Sequence, residues 1–151
     1  MASTTTKLPL LLLLISLPLI LSSRPESGRP SDRVDQTVTI SQNTEVNIIE
    51  SHSYVSKLLA SSTDAKDKVI LAFIVNLYNA MLVDIGKVII DVKLNDDVSW
   101  SFAKLAAANA NNAAVLAADK AKGLRGGPPK ELVSRGENLV RHTSIVVSLT
   151  K

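Results

Sequence analysis

The chain has 151 residues, 46% of them apolar and 21% charged, with a formal net charge of +3. So mild a balance, with no run of five like charges and 3% aromatic residues, argues against a nucleic-acid surface of basic clusters or base-stacking platforms. The absence of cysteine excludes a disulfide scaffold, a thiolate nucleophile and a zinc–thiolate site.

Residues 1–23 read as a cleaved export signal, the alternative being an uncleaved anchor. Lys7 is the lone charge, residues 8–21 form a Leu/Ile run of h-region length, and Ser22-Ser23 supply small residues for cleavage. Pro9 and Pro18 interrupt the run, which is too short for a comfortable membrane span. No Asn-x-Ser/Thr sequon accompanies the export signal. Residues 24–33 (RPESGRPSDR) are a Pro/Gly/charge stretch expected to be a flexible lead-in. The domain proper is expected over 34–151.

Within 34–61, a three/four spacing runs through Val34, Val38, Ser41, Glu45, Ile48, His52, Val55 and Leu59, widened by Ile49 and Leu58. Thr37-Val38-Thr39-Ile40 also alternates as a strand does. Length and the lack of a turn residue after Asp35 favour helix, frayed before Asn43. Asp64 is placed to cap a second helix reaching about residue 92, with Asp67 near its positive end. That helix is apolar almost all round, as buried helices are. Asn76, Asn79, Asp84 and Lys87 form its polar face and argue against a second membrane span. Gly86 is expected to permit close packing.

Residues 93–96 are a short connection, and Asp97 is the expected cap of a third helix to about Lys122. Trp100, Phe102 and Leu105 open it, and alanine dominates from 103 to 118, which suits close helix approach. Gly123 is the natural residue just beyond its end, and residues 123–130 (GLRGGPPK) are a breaker. The last helix spans about 131–150, with Leu132, Gly136, Leu139, Thr143, Val146 and Thr150 in one stripe. Four helices with short connections predict an all-α, antiparallel up-down-up-down four-helix bundle following the signal peptide.

No catalytic constellation emerges, so an enzyme is not expected. His52 and His142 each lie on or beside an apolar stripe and read as packing residues. No G-x-S-x-G elbow, no Glu-x-x-His pair and no phosphate-binding glycine loop is present. No cofactor or metal is expected. Trp100 reads as a core anchor. Asp84, Asp91, Asp96 and Asp97 lie along and just after the polar face of the second helix. They are solvation and capping residues or, in the functional reading, a surface for a protein partner.

The order of these segments resembles the plant invertase and pectin methylesterase inhibitor family. Leu77-Tyr78-Asn79-Ala80 is similar to that family's core-helix motif, and Asn95-Asp96-Asp97-Val98 to its acidic inter-helix turn. The segment from Asn138-Leu139-Val140 to Thr150 is similar to its last helix. The resemblance covers residues 45–151. It implies a four-helix bundle exported to the cell wall (apoplast) or vacuole. It implies a protein that binds no cofactor and blocks a carbohydrate-active enzyme by docking on its active cleft. It also implies a protein partner, pectin methylesterase or acid invertase, and the contact residues expected from the sequence pattern are Asp84, Asp91, Asp96 and Asp97.

The chain departs from the family in lacking its N-terminal helical hairpin and both disulfides. The second bridge would fall near Ile74 and near Asn112 or Ala113. The Pro-Lys-Phe segment of the invertase-blocking members is replaced by Asp96-Asp97-Val98, which favours pectin methylesterase over invertase as the target. The alternative is an exported interaction or structural bundle with no inhibitory activity.

Overall fold

The computed structural model describes residues 28–151, and the export signal read over 1–23 lies outside them. Four helices follow in order: α1 (Ser31–Ser61), α2 (Ala65–Leu94), α3 (Asp97–Ala121) and α4 (Lys130–Leu149). α1 packs on α2, α2 on α3, α3 on α4 and α4 back on α1, closing a square up-down-up-down bundle.

Local signals explain where each helix begins. The Pro30 carbonyl accepts from the amides of Arg33 and Val34, so α1 starts at Ser31, inside the expected lead-in. It does not fray before Asn43. The Asp64 carboxylate accepts from the amides of Lys66 and Asp67 (2.9 and 3.0 Å) and starts α2. The cap of α3 is Asp96, not Asp97. Asp96 is extended, and its side chain accepts from the amide and hydroxyl of Ser99 (both 2.8 Å), whereas Asp97 is already helical. The left-handed residues of the α3–α4 loop are Gly126 and Gly127 (φ 77° and 87°), so they, and not Gly123, provide the chain reversal.

The core is asymmetric. α2 contributes the large row Leu71, Ile74, Tyr78, Met81, Ile85, Val88 and Val92. Opposite stands the alanine row of α3, from Ala103 to Ala121, and small residues facing large ones let the helices approach. Ile74, at one expected bridge position, is fully buried. Every residue of the expected α4 stripe is buried.

α1 differs from expectation. Its buried row is Thr37, Ser41, Thr44, Ile48, Ser51 and Val55, while Ile49 is exposed and His52 only partly covered. The threonine hydroxyls donate to their own helix, Thr37 to the Arg33 carbonyl (2.7 Å) and Thr44 to that of Ile40 (2.8 Å), so they enter the core already bonded. The Ser41 hydroxyl is buried without a partner. Gly86 meets no neighbour within 4 Å of where a Cβ would stand and is not a close-packing site. At Gly136 a Cβ would make an ordinary contact with Ala118 (3.6 Å), and the tighter position is Gly123, where it would stand 3.2 Å from Ile70 Cδ1.

Polar ties lock both ends. At one, Asp64 and Asp67 of α2 hold Arg125 of the α3–α4 loop, by its side chain (3.1 Å) and amide (2.9 Å) respectively. At the other, Asn95 is left-handed (φ 52°) and joins three segments. Its side-chain oxygen accepts from the Trp100 indole and from the Arg29 amide (both 2.7 Å), and its nitrogen donates to the Arg29 carbonyl (2.9 Å). Arg33 donates to the carbonyls of Leu149 and Lys151, tying α1 to the end of α4. The guanidinium groups of Arg29 and Arg33 lie 5.4 and 5.6 Å from the Trp100 ring centre, and Trp100 is 1% exposed.

Candidate docking surface between the second and third helices

The four acidic residues singled out from the sequence do not form one surface. Asp84 and Asp91, two turns apart on α2, line a groove of about 370 Å³ with Lys87 and, across it on α3, Phe102, Leu105, Ala106 and Asn109. Asp84 lies 3.7 Å from the Lys87 ammonium, an i,i+3 pair on the groove wall. Asp96 is committed to capping α3. Its bonds from the Ser99 amide and hydroxyl hold its carboxyl below the ordinary carboxylate range. Asp97 is exposed at the α2–α3 turn and pairs with Arg29 at 3.4 Å.

The apolar half of the groove was hidden from sequence reading. Phe102 and Leu105, named from the sequence only as part of the bulky start of the helix, are 58% and 60% exposed. The register of α3 decides this. With Trp100, Ala103, Ala107 and Ala110 inward, positions 102, 105 and 109 must face out, and that spacing was the available signal. Two carboxylates, an ammonium and two exposed hydrophobes can recognise a protein surface carrying bases and an apolar contact. Among the described residues, no group of three His, Asp or Glu is placed to hold a metal ion.

No family model matches this sequence, and no curated protein is significantly similar to it. Solved structures are similar. The crystal structure of a pectin methylesterase inhibitor from Arabidopsis thaliana superposes with a TM-score of 0.70, covering 87% of this chain and 82% of that one at 12% identity. A mutant form of a pectin methylesterase inhibitor from Arabidopsis superposes with a TM-score of 0.71, covering 80% and 78% at 12% identity. This chain shares the fold of those inhibitors. The family suggested by the motifs of α2, the inter-helix turn and α4 is thus the family of these structural neighbours.

Proposed function

We propose that this chain is an exported protein inhibitor of a plant cell-wall carbohydrate-active enzyme, with pectin methylesterase favoured over acid invertase. It acts by docking on the enzyme and occluding its cleft. The observation that carries the reading is the likeness of fold to pectin methylesterase inhibitors over most of both chains. The α2–α3 groove is the contact surface in this reading. Asp84 and Asp91 pair with bases on the enzyme, and Phe102 and Leu105 supply desolvated contacts. Asp97, at the α2–α3 turn outside the groove, pairs with Arg29, and Asp96 contributes by holding the turn in shape. Export places inhibitor and enzyme in the same compartment.

The test is complex formation with purified pectin methylesterase at low and moderate salt. The parent should bind, and more weakly as salt rises, because exposed pairs are screened over ~10 Å at 0.1 M. Asp84→Lys combined with Asp91→Lys should bind at least tenfold more weakly with helicity unchanged. Binding unaffected by the double reversal would reject this surface. A folded protein that binds neither enzyme would favour the second reading, an exported interaction bundle without inhibitory activity, which the loss of every cysteine already suits.

A further inference from the structure

α2 carries two rows of residues, not one. The inner row faces the core, and the outer row is Val69, Phe73, Asn76, Ala80, Val83, Lys87, Ile90 and Leu94, every one of them exposed. Its steps alternate four and three residues along the whole helix, which is the heptad pattern of a helix that packs against another helix. Within the bundle the row is bare except at Phe73, whose ring centre lies 5.7 Å from the Lys120 ammonium of α3. By length and composition α2 would pass for a membrane span, yet only 28% of its most apolar window is buried. Soluble monomers rarely leave so long an apolar ridge bare.

We propose that the chain forms a two-fold dimer through this outer row, with the two copies of α2 antiparallel. The row reads four-three-four-three-four-three-four in either direction, so reversing one helix lays row on row. With the axis between Ala80 and Val83, Val69 meets Leu94, Phe73 meets Ile90 and Ala80 meets Val83. The two polar positions, Asn76 and Lys87, then meet each other, and the amide oxygen accepts from the ammonium. A parallel pair in register would instead stack Lys87 on Lys87. Single polar residues in an apolar seam select register and orientation in this way.

From Val69 to Leu94 the seam is ~38 Å long and ~10 Å wide. The neighbouring α3 row of Val98, Phe102 and Leu105 adds a second strip of that width along ~10 Å of its length. That gives ~500 Å² per copy and ~1,000 Å² in all, at the lower bound of a specific interface. The same patch serves both copies, as two-fold symmetry requires. The dimer covers the Asp84–Asp91 groove, so under the inhibitor reading the monomer is the species that docks. Self-association itself does not rest on that reading.

The test is sedimentation of residues 24–151 over a range of concentrations, beside Val83→Glu at the axis and Ile90→Glu away from it. The parent should pass from one to two chain masses. Both variants should keep their helicity, since both side chains are exposed, and should dimerise at least a hundredfold more weakly. Because the chain has no cysteine, orientation can be read directly. Under oxidation Val69→Cys should cross-link to Leu94→Cys in a mixture, and neither should cross-link efficiently to itself. Self-cross-linking of each single variant would overturn the antiparallel arrangement. A parent that stays monomeric at near-millimolar concentration would overturn the dimer. So would a monomer that binds phosphatidylcholine vesicles through α2, since the row would then be a lipid contact. A chain that stays monomeric up to near-millimolar concentration and inhibits an enzyme sinks the dimer and leaves the inhibitor reading standing, and a chain that dimerises but inhibits nothing even when diluted to its monomer does the reverse.

Discussion

Replacing Asn95 with alanine should be among the most damaging single changes at the surface of this bundle. Two effects coincide there. Alanine in the left-handed conformation that Asn95 adopts (φ 52°) costs ~1–2 kcal/mol. The Trp100 indole N–H would also lose its acceptor, and a side chain 1% exposed cannot turn to water instead. A buried donor stranded in that way costs ~1–3 kcal/mol. The Arg29 amide loses a partner too, but it is only half-buried and can be rehydrated. The sum is ~2–5 kcal/mol, against a total stability of ~5–15 for a domain. Asn95→Gly restores the backbone freedom but not the hydrogen bonds. Allowing for the ~0.5–1 kcal/mol of extra chain entropy that glycine loses on folding, it should lie about 1 kcal/mol above the alanine variant. Urea denaturation followed by circular dichroism and by Trp100 fluorescence measures both. An alanine variant within 1 kcal/mol of the parent, or a glycine variant below it, would refute the assignment of Asn95 as the tie between lead-in, turn and α3.

Other consequences are smaller in scope. Gly86→Ala should stabilise by ~0.5–1 kcal/mol, because the helix gains propensity and an added Cβ meets nothing within 4 Å; thermal melting checks it. Ser41→Ala should be neutral or stabilising by up to ~1 kcal/mol, since the hydroxyl it removes is buried without a partner, and a clear loss in urea denaturation would count against that assignment. Asp64 and Asp96 are both held below the ordinary carboxylate range, Asp64 first by the Asp67 amide and then by Arg125, Asp96 by the Ser99 amide. Their contribution is therefore complete above the unfolded carboxylate range and is lost as pH falls through their lowered folded values. Stability should drop in acid, and Asp64→Asn with Asp96→Asn should flatten that drop. At the other extreme, burial pushes the Tyr78 phenol up to about 12. Its contribution is complete below pH ~10 and is lost as pH rises toward that value, so tyrosinate absorbance from Tyr78 should appear together with alkaline unfolding.

The sequence announced the helices more clearly than their faces. Regular spacing marked the core stripe of α4, and Asp64 was legible as a cap, whereas α2 read as apolar almost all round and the structure leaves Val69, Phe73, Val83, Ile90 and Leu94 of it exposed. α1 was misread because hydropathy discounts threonine and serine. Thr37 and Thr44 are nonetheless core residues, their hydroxyls bonded to carbonyls one turn back. Asp96 and Asp97 are adjacent and chemically alike, so only the backbone angles tell the cap from the first helical residue. Phe102 and Leu105 were read only as the bulky start of α3, and the register set by Trp100 and Ala103 is what turns them outward. The Arg29–Asn95–Trp100 cluster spans up to 71 positions of sequence and has no local signature. It needs the folded bundle to exist, and it ties down the chain where the family resemblance implied a hairpin.

The central claim is inhibition, and a titration tests it most directly. Purified residues 24–151, shown to be helical in plain buffer, would be added in increasing ratio to pectin methylesterase and to acid invertase, with residual activity recorded from mildly acidic to neutral pH. The reading predicts loss of pectin methylesterase activity approaching completion near one bound chain per enzyme, with less loss for the Asp84→Lys, Asp91→Lys variant. Full activity of both enzymes in excess of the folded protein would contradict it.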